Sequence, residues 1–162
     1  CFNYHSRKSS LDPVMRKVEV AIDIKTTGAK LIAAFTEGEM LRDWWKVERV
    51  IIEKKIGGLY ILAWNVTEQG FGFVSSGLIK EFQPDHLLVI EKMVYLNPSR
   101  SFLGPMTLTV SVNPKGDQAE LYICQDGYQE GEDWDWYYEA VKTAWPKVAK
   151  ELKNYLEKQI LL

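Results

Sequence analysis

At 162 residues the chain is long enough for one domain, and a domain of this size buries roughly 70% of the surface its unfolded form exposes. Apolar residues make up 46% and charged residues 26%, an ordinary globular balance, and a net charge of −2 carries no electrostatic footprint for nucleic acid. No apolar run reaches the ~18–20 residues of a membrane span, and two cysteines, Cys1 and Cys124, argue against a disulfide scaffold.

Residues 1–13 are polar and aperiodic and read as a flexible arm ahead of a single domain over 14–160. Position 1 is Cys where Met would open a chain, so it reads as a chain boundary or as a processed, acylated N-terminus; the cytoplasm is the default compartment. "VMRKVEVAIDI" then alternates, with Val18, Val20, Ile22 and Ile24 on one face and Lys17, Glu19, Ala21 and Asp23 on the other, a half-buried strand. Leu31, Ala34 and Phe35 fall at helical spacing. Thr36 with Glu39 three residues on has the form of a capping box, predicting a second short helix that ends at Trp44-Trp45.

From Val47 to Gln125 the period becomes two. "VERVIIEK" is a strand, Gly57-Gly58 a hairpin turn, and "LYILAWNV" the next strand. "GFGFVSSGLIKEF" reads as a strand bent or bulged at Gly72 and Gly77. After a "QPDH" turn come "LLVIEKMVYL", a loop over "LNPSRSFLGP", a strand with Met106, Leu108, Val110 and Val112 on one face, a turn at "NPKGD", and a last strand carrying Ala119, Leu121, Ile123 and a buried Cys124. The final segment is helical: Trp134, Tyr138, Val141, Trp145, Val148, Leu152 and Tyr155 make one apolar stripe, and Lys147, Lys150, Lys153 and Lys158 its wet side. Pro146 predicts a kink or a junction of two helices.

Hairpin-length turns make the sheet antiparallel, with one dry face that needs a cover. The remaining amphipathic element is the last helix. At ~1.5 Å per residue, about 25 residues span roughly 37 Å, against ~26 Å for an eight-residue strand. The sheet must therefore curve around the helix. The expected class is α+β: a curved antiparallel sheet of about seven strands, two short helices after the first strand, and a long C-terminal helix.

The runs "TTGAKLIAAFTEGEMLRDWW", "IGGLYILAW", "GLIKEFQPDHLLV" and "MTLTVSV", with a final helix containing Trp145, resemble the activator of heat-shock protein 90 ATPase homologue family, over residues 15–158. That resemblance implies the START-like (SRPBCC) superfamily and its helix-grip fold, in which the space between sheet and helix often holds a hydrophobic ligand. The family often has Gly-Trp near the last helix; here Ala144-Trp145 precedes Pro146.

Packing is the plain role of an aromatic stripe, but the rings here are in surplus: Trp44, Trp45, Trp64, Phe71, Phe73, Tyr95, Trp134, Trp136, Tyr138 and Trp145. Rigid rings on a concave sheet leave space, and an apolar cavity with a few polar groups is a small-molecule site. Asn65, Ser75, Lys92 and Tyr95 are the polar candidates. Catalytic and metal constellations are not legible: His5 and His86 stand apart from Cys124, and no serine has a nucleophile elbow. Glu130, Glu132, Asp133 and Asp135 suit a helix N-terminus.

The function expected is therefore non-enzymatic binding of a small hydrophobic molecule, without cofactor or metal. The alternatives are a chaperone-associated modulator of an ATPase and a cyclase- or hydrolase-type enzyme. A homodimer and a chaperone are the candidate protein partners.

Overall fold

A computed structural model describes residues 15–160; the arm expected over 1–13, with Cys1 and His5, lies outside the described residues. The elements are β1 (Lys17–Ile24), α1 (Gly28–Thr36), α2 (Gly38–Trp45), β2 (Arg49–Ile52), β3 (Leu59–Trp64), β4 (Phe73–Gln83), β5 (Leu87–Leu96), β6 (Leu103–Lys115), β7 (Gln118–Asp126) and α3 (Glu132–Ile160). The seven strands form one antiparallel sheet in the order β1-β7-β6-β5-β4-β3-β2. The fold is the helix-grip arrangement: a curved open sheet around a long C-terminal helix.

Curvature enters where the ladders slip. On β5 the extra residue Lys92, held at φ 51°, opposes Gly77 of β4 and shifts the register toward β6 as well. Gly77 is required there, since a Cβ would lie 2.7 Å from Ile90 Cγ2 and 3.0 Å from the Glu91 carbonyl. Gly72, by contrast, precedes β4 instead of lying within a strand; its backbone closes on Asn65 and donates to the Trp64 carbonyl.

Four local expectations are corrected. Thr36 is not a cap: α1 runs through it, and its hydroxyl is satisfied by the Ile32 carbonyl at 3.0 Å, so Glu37 begins α2 with no side-chain cap. The "NPKGD" turn is tighter than expected. Asn113, Pro114 and Lys115 pair with Glu120, Ala119 and Gln118, leaving Gly116-Asp117 as a two-residue hairpin. The loop after β5 is also shorter, because β6 begins at Leu103, opposite Tyr95. Cys124 is half-buried, because its strand parity puts it on the outer face beside Tyr122.

The last helix is one 29-residue element with Pro146 inside it, not two helices meeting. Pro146 removes the hydrogen bond to the carbonyl of Lys142. Both residues are exposed, so water can take that carbonyl and the break costs least. The buried stripe is Trp134, Tyr137, Val141, Trp145, Ala149, Leu152 and Leu156. Tyr138, Val148 and Tyr155 are half-buried at its flank, so the stripe sits about one residue round from the expected line. Lys153 is partly buried as well, holding the Asp23 carbonyl at 2.8 Å and Glu157 at 2.8 Å.

Candidate functional site

Between the concave face and the first half of α3 lies a cavity of about 470 Å³, within the ~300–1,000 Å³ range of small-molecule sites. Strand alternation supplies its floor at every second residue: Tyr60, Leu62 and Trp64 from β3, Phe73 and Ser75 from β4, and Met93 and Tyr95 from β5. Leu108 of β6 and Gln125 of β7, opposite each other in the ladder, continue it. The roof is Trp136, Tyr137, Ala140, Val141, Ala144, Trp145 and Val148 of α3, and Trp45 of α2 closes one end.

The rings meet in a chain around this space. Trp145 and Trp45 lie 5.4 Å apart between centroids, Trp45 and Trp64 5.1 Å, Trp64 and Phe73 5.0 Å, Phe73 and Tyr95 6.1 Å, and Tyr95 and Tyr137 4.5 Å. Gln125 closes the circuit with hydrogen bonds. Its Oε1 accepts from Trp145 Nε1 at 2.9 Å, and its Nε2 donates to the Tyr137 hydroxyl at 3.1 Å. Offset and edge-on ring pairs of this kind contribute about 0.5–1.5 kcal/mol each beyond their buried area. The circuit is therefore stiff enough to hold space open.

No charged side chain lines the cavity among the described residues. Burial pushes the Tyr137 phenol well above the ordinary tyrosine range, with a smaller contribution from the neighbouring Tyr95. Tyr60 is raised by burial in the same way, and its hydroxyl donates to the Phe35 carbonyl at 2.6 Å. Both phenols are neutral at physiological pH, so the polar groups in the cavity are uncharged hydrogen-bonding groups.

One corner of the roof is tied to the loop between β5 and β6. Asp133, in the first turn of α3, accepts from the backbone N–H of Ser101 at 2.9 Å, its hydroxyl at 2.7 Å, and Arg100 at 3.2 Å. These donors, the Ser101 N–H foremost, hold its carboxyl below the usual range. Arg100 also lies 4.1 Å above the Trp136 ring. Arg16 bonds Asp135 at 2.8 Å, so two of the acidic residues expected at a helix N-terminus are fastened to the body.

Of the residues singled out in the sequence, Trp45, Trp64, Phe73, Ser75, Tyr95, Trp136 and Trp145 line the cavity. Four aromatic residues do not. Trp44 stacks behind Trp45 at 5.1 Å and spends its indole N–H on the Ala34 carbonyl. Trp134 packs on Tyr128, and Tyr138 lies beneath Arg16 on the flank. Phe71 is 43% exposed. Asn65 and Lys92 are exposed corners with positive φ and no part in the lining. The residues missed are Tyr60, Gln125 and Tyr137. Gln125 was within reach, because the inward parity of Ala119, Leu121 and Ile123 leads to it.

Among the described residues no three His, Cys, Asp or Glu side chains gather as metal ligands. None of the described helices is long and apolar enough to cross a membrane.

A family model described as "Activator of Hsp90 ATPase homolog 1-like protein" matches residues 25–157. No curated protein sequence matches the chain. Among solved structures, the Aha1 dimer from Colwellia psychrerythraea is similar at 15% identity and a TM-score of 0.67, covering 88% of this chain and 97% of that one. ChR145 from Cytophaga hutchinsonii is similar at 16% identity and a TM-score of 0.70, covering 93% and 100%. CalU16 from Micromonospora echinospora is similar at 14% identity and a TM-score of 0.64, covering 91% and 80%. Likeness at such identities is likeness of fold.

Proposed function

The chain belongs to the activator of Hsp90 ATPase homolog 1-like family, and from that premise we propose that it binds a small hydrophobic molecule between the curved sheet and α3 without transforming it. The observation that carries this reading is the 470 Å³ space inside a circuit of rings, beside a core of fully buried aliphatic side chains. A site of purely structural purpose would fill such a volume, because an unfilled apolar void forfeits stability.

The chemistry of the lining favours binding over turnover. A cyclase or hydrolase needs a positioned acid or base, and the lining offers no carboxylate, imidazole or amine among the described residues, only phenols, of which burial keeps Tyr60 and Tyr137 protonated. Burying ~300 Å² of apolar ligand surface is worth roughly 7–8 kcal/mol, against an association cost of at least about 4 kcal/mol. Contact of that kind leaves at most about 4 kcal/mol, which is millimolar affinity at best. Tighter binding needs the cavity's polar groups.

Native mass spectrometry of freshly purified protein, with thermal-shift screening of aromatic and lipid-like compounds, tests the proposal. A co-purifying adduct or a raised melting temperature is expected. No adduct and no shift across the screen would remove it. Chaperone modulation rests on the family's description; an unchanged Hsp90 ATPase rate in the presence of this protein, with no capture in a pull-down, would exclude it.

A further inference from the structure

Hydrogen-bond direction in the cavity is determined by its indole. A tryptophan N–H can only donate, so the Gln125 side chain must turn its oxygen to Trp145 and its amide nitrogen to Tyr137. The second amide hydrogen has the Met106 sulfur at 3.5 Å, and Gln125 is 2% exposed, so no other arrangement satisfies the group. Tyr137 therefore receives a hydrogen bond on its oxygen and keeps its own proton unspent.

The same logic holds next door. Asn97 Oδ1 accepts from the Ser99 N–H at 3.0 Å and the Ser99 hydroxyl at 2.8 Å, which turns the Asn97 amide nitrogen to the Tyr95 oxygen at 3.3 Å. Tyr95, too, accepts and is left a donor. Among the described residues neither phenol proton has an acceptor. The two rings lie 4.5 Å apart on the wall of the same cavity.

We propose that these paired phenols bind a carbonyl-type oxygen, and that the ligand class is uncharged aromatic ketones and quinones; this rests on the binding function proposed above. The ring circuit supplies stacking faces for a flat molecule, and the phenols supply two donors at one wall. A carboxylate would meet the donors but no cation, and would lose its hydration without a paired charge. A plain hydrocarbon would leave both donors unmet.

The test compares 9-fluorenone, fluorene and fluorene-9-carboxylate, titrated by tryptophan fluorescence into the full chain and into Tyr137→Phe and Tyr95→Phe. The expected result is that fluorenone binds about fivefold more tightly than fluorene, the worth of one net hydrogen bond. The carboxylate should bind most weakly, and the infrared carbonyl stretch of bound fluorenone should move to lower wavenumber. Tyr137→Phe should abolish both the preference for fluorenone over fluorene and the spectral shift, and Tyr95→Phe should reduce them. Equal affinity for fluorenone and fluorene, a carbonyl stretch identical in Tyr137→Phe, or tightest binding of the carboxylate would overturn this inference and leave the binding function standing. Failure of all three probes to bind would also overturn this inference, and the binding function falls with it only where the wider screen gives no adduct and no thermal shift.

Discussion

The two halves of α3 face the same sheet and do opposite things. From Trp134 to Trp145 the buried residues are three large rings and Val141, each 6–9% exposed, and Tyr137, Val141 and Trp145 border open space. From Ala149 to Leu156 they are small or aliphatic and 0–1% exposed. That second half packs against β1, where Lys153 and Glu157 also fasten its outer edge to the Asp23 carbonyl and the Lys25 N–H. Flexible aliphatic side chains interdigitate until no void is left, whereas flat rings touch edge to face and leave gaps their neighbours cannot enter. Stability is concentrated under one half and vacancy under the other.

Alkali should act on the aromatic half most strongly. Burial raises the phenols of Tyr60, Tyr128 and Tyr137, and the Tyr128 hydroxyl is buried without a protein partner. The free phenol titrates near pH ~10, so the stability these neutral groups confer is complete below that value and is lost as pH rises toward their higher folded values. Phenolate absorbance should rise together with loss of structure, and amide exchange should quicken first around residues 134–145. Titration of all tyrosines near pH 10 in a still-folded protein would contradict this.

Leu152→Ala in the packed half should cost about 2–5 kcal/mol in denaturant unfolding, because it opens a closed void. Ala149→Leu, which overfills the same half, should cost about 1–3 kcal/mol. Val141→Phe should differ in kind. Its added ring can grow into existing space, so stability should change by less than about 1 kcal/mol while ligand-induced thermal shifts disappear. Equal costs at 141 and 149 would show that the two halves are packed alike.

Much of the architecture was legible in the residues. Period two across Met106–Val112 and Ala119–Ile123 specified strands with one dry face, and a long amphipathic segment with no other partner specified a clasped helix. Several details depended on neighbours remote in sequence. Thr36 looks like a cap until α1 is seen to continue through it. Tyr137 and Tyr138 stand about 100° apart and flank the line of Trp134, Val141 and Trp145 on opposite sides, and the approach of Tyr95 and Gln125 is what selects Tyr137.

The order of strands and helices, the dry face of the sheet and the abundance of rings follow from composition and periodicity, because these are local properties of backbone geometry and side-chain polarity. Which way the hydrogen bonds to the Trp145 indole and the Tyr137 phenol run follows from Gln125 standing between them. That meeting of a strand with a helix depends on where the bulged sheet brings the chain together, and no local pattern encodes it.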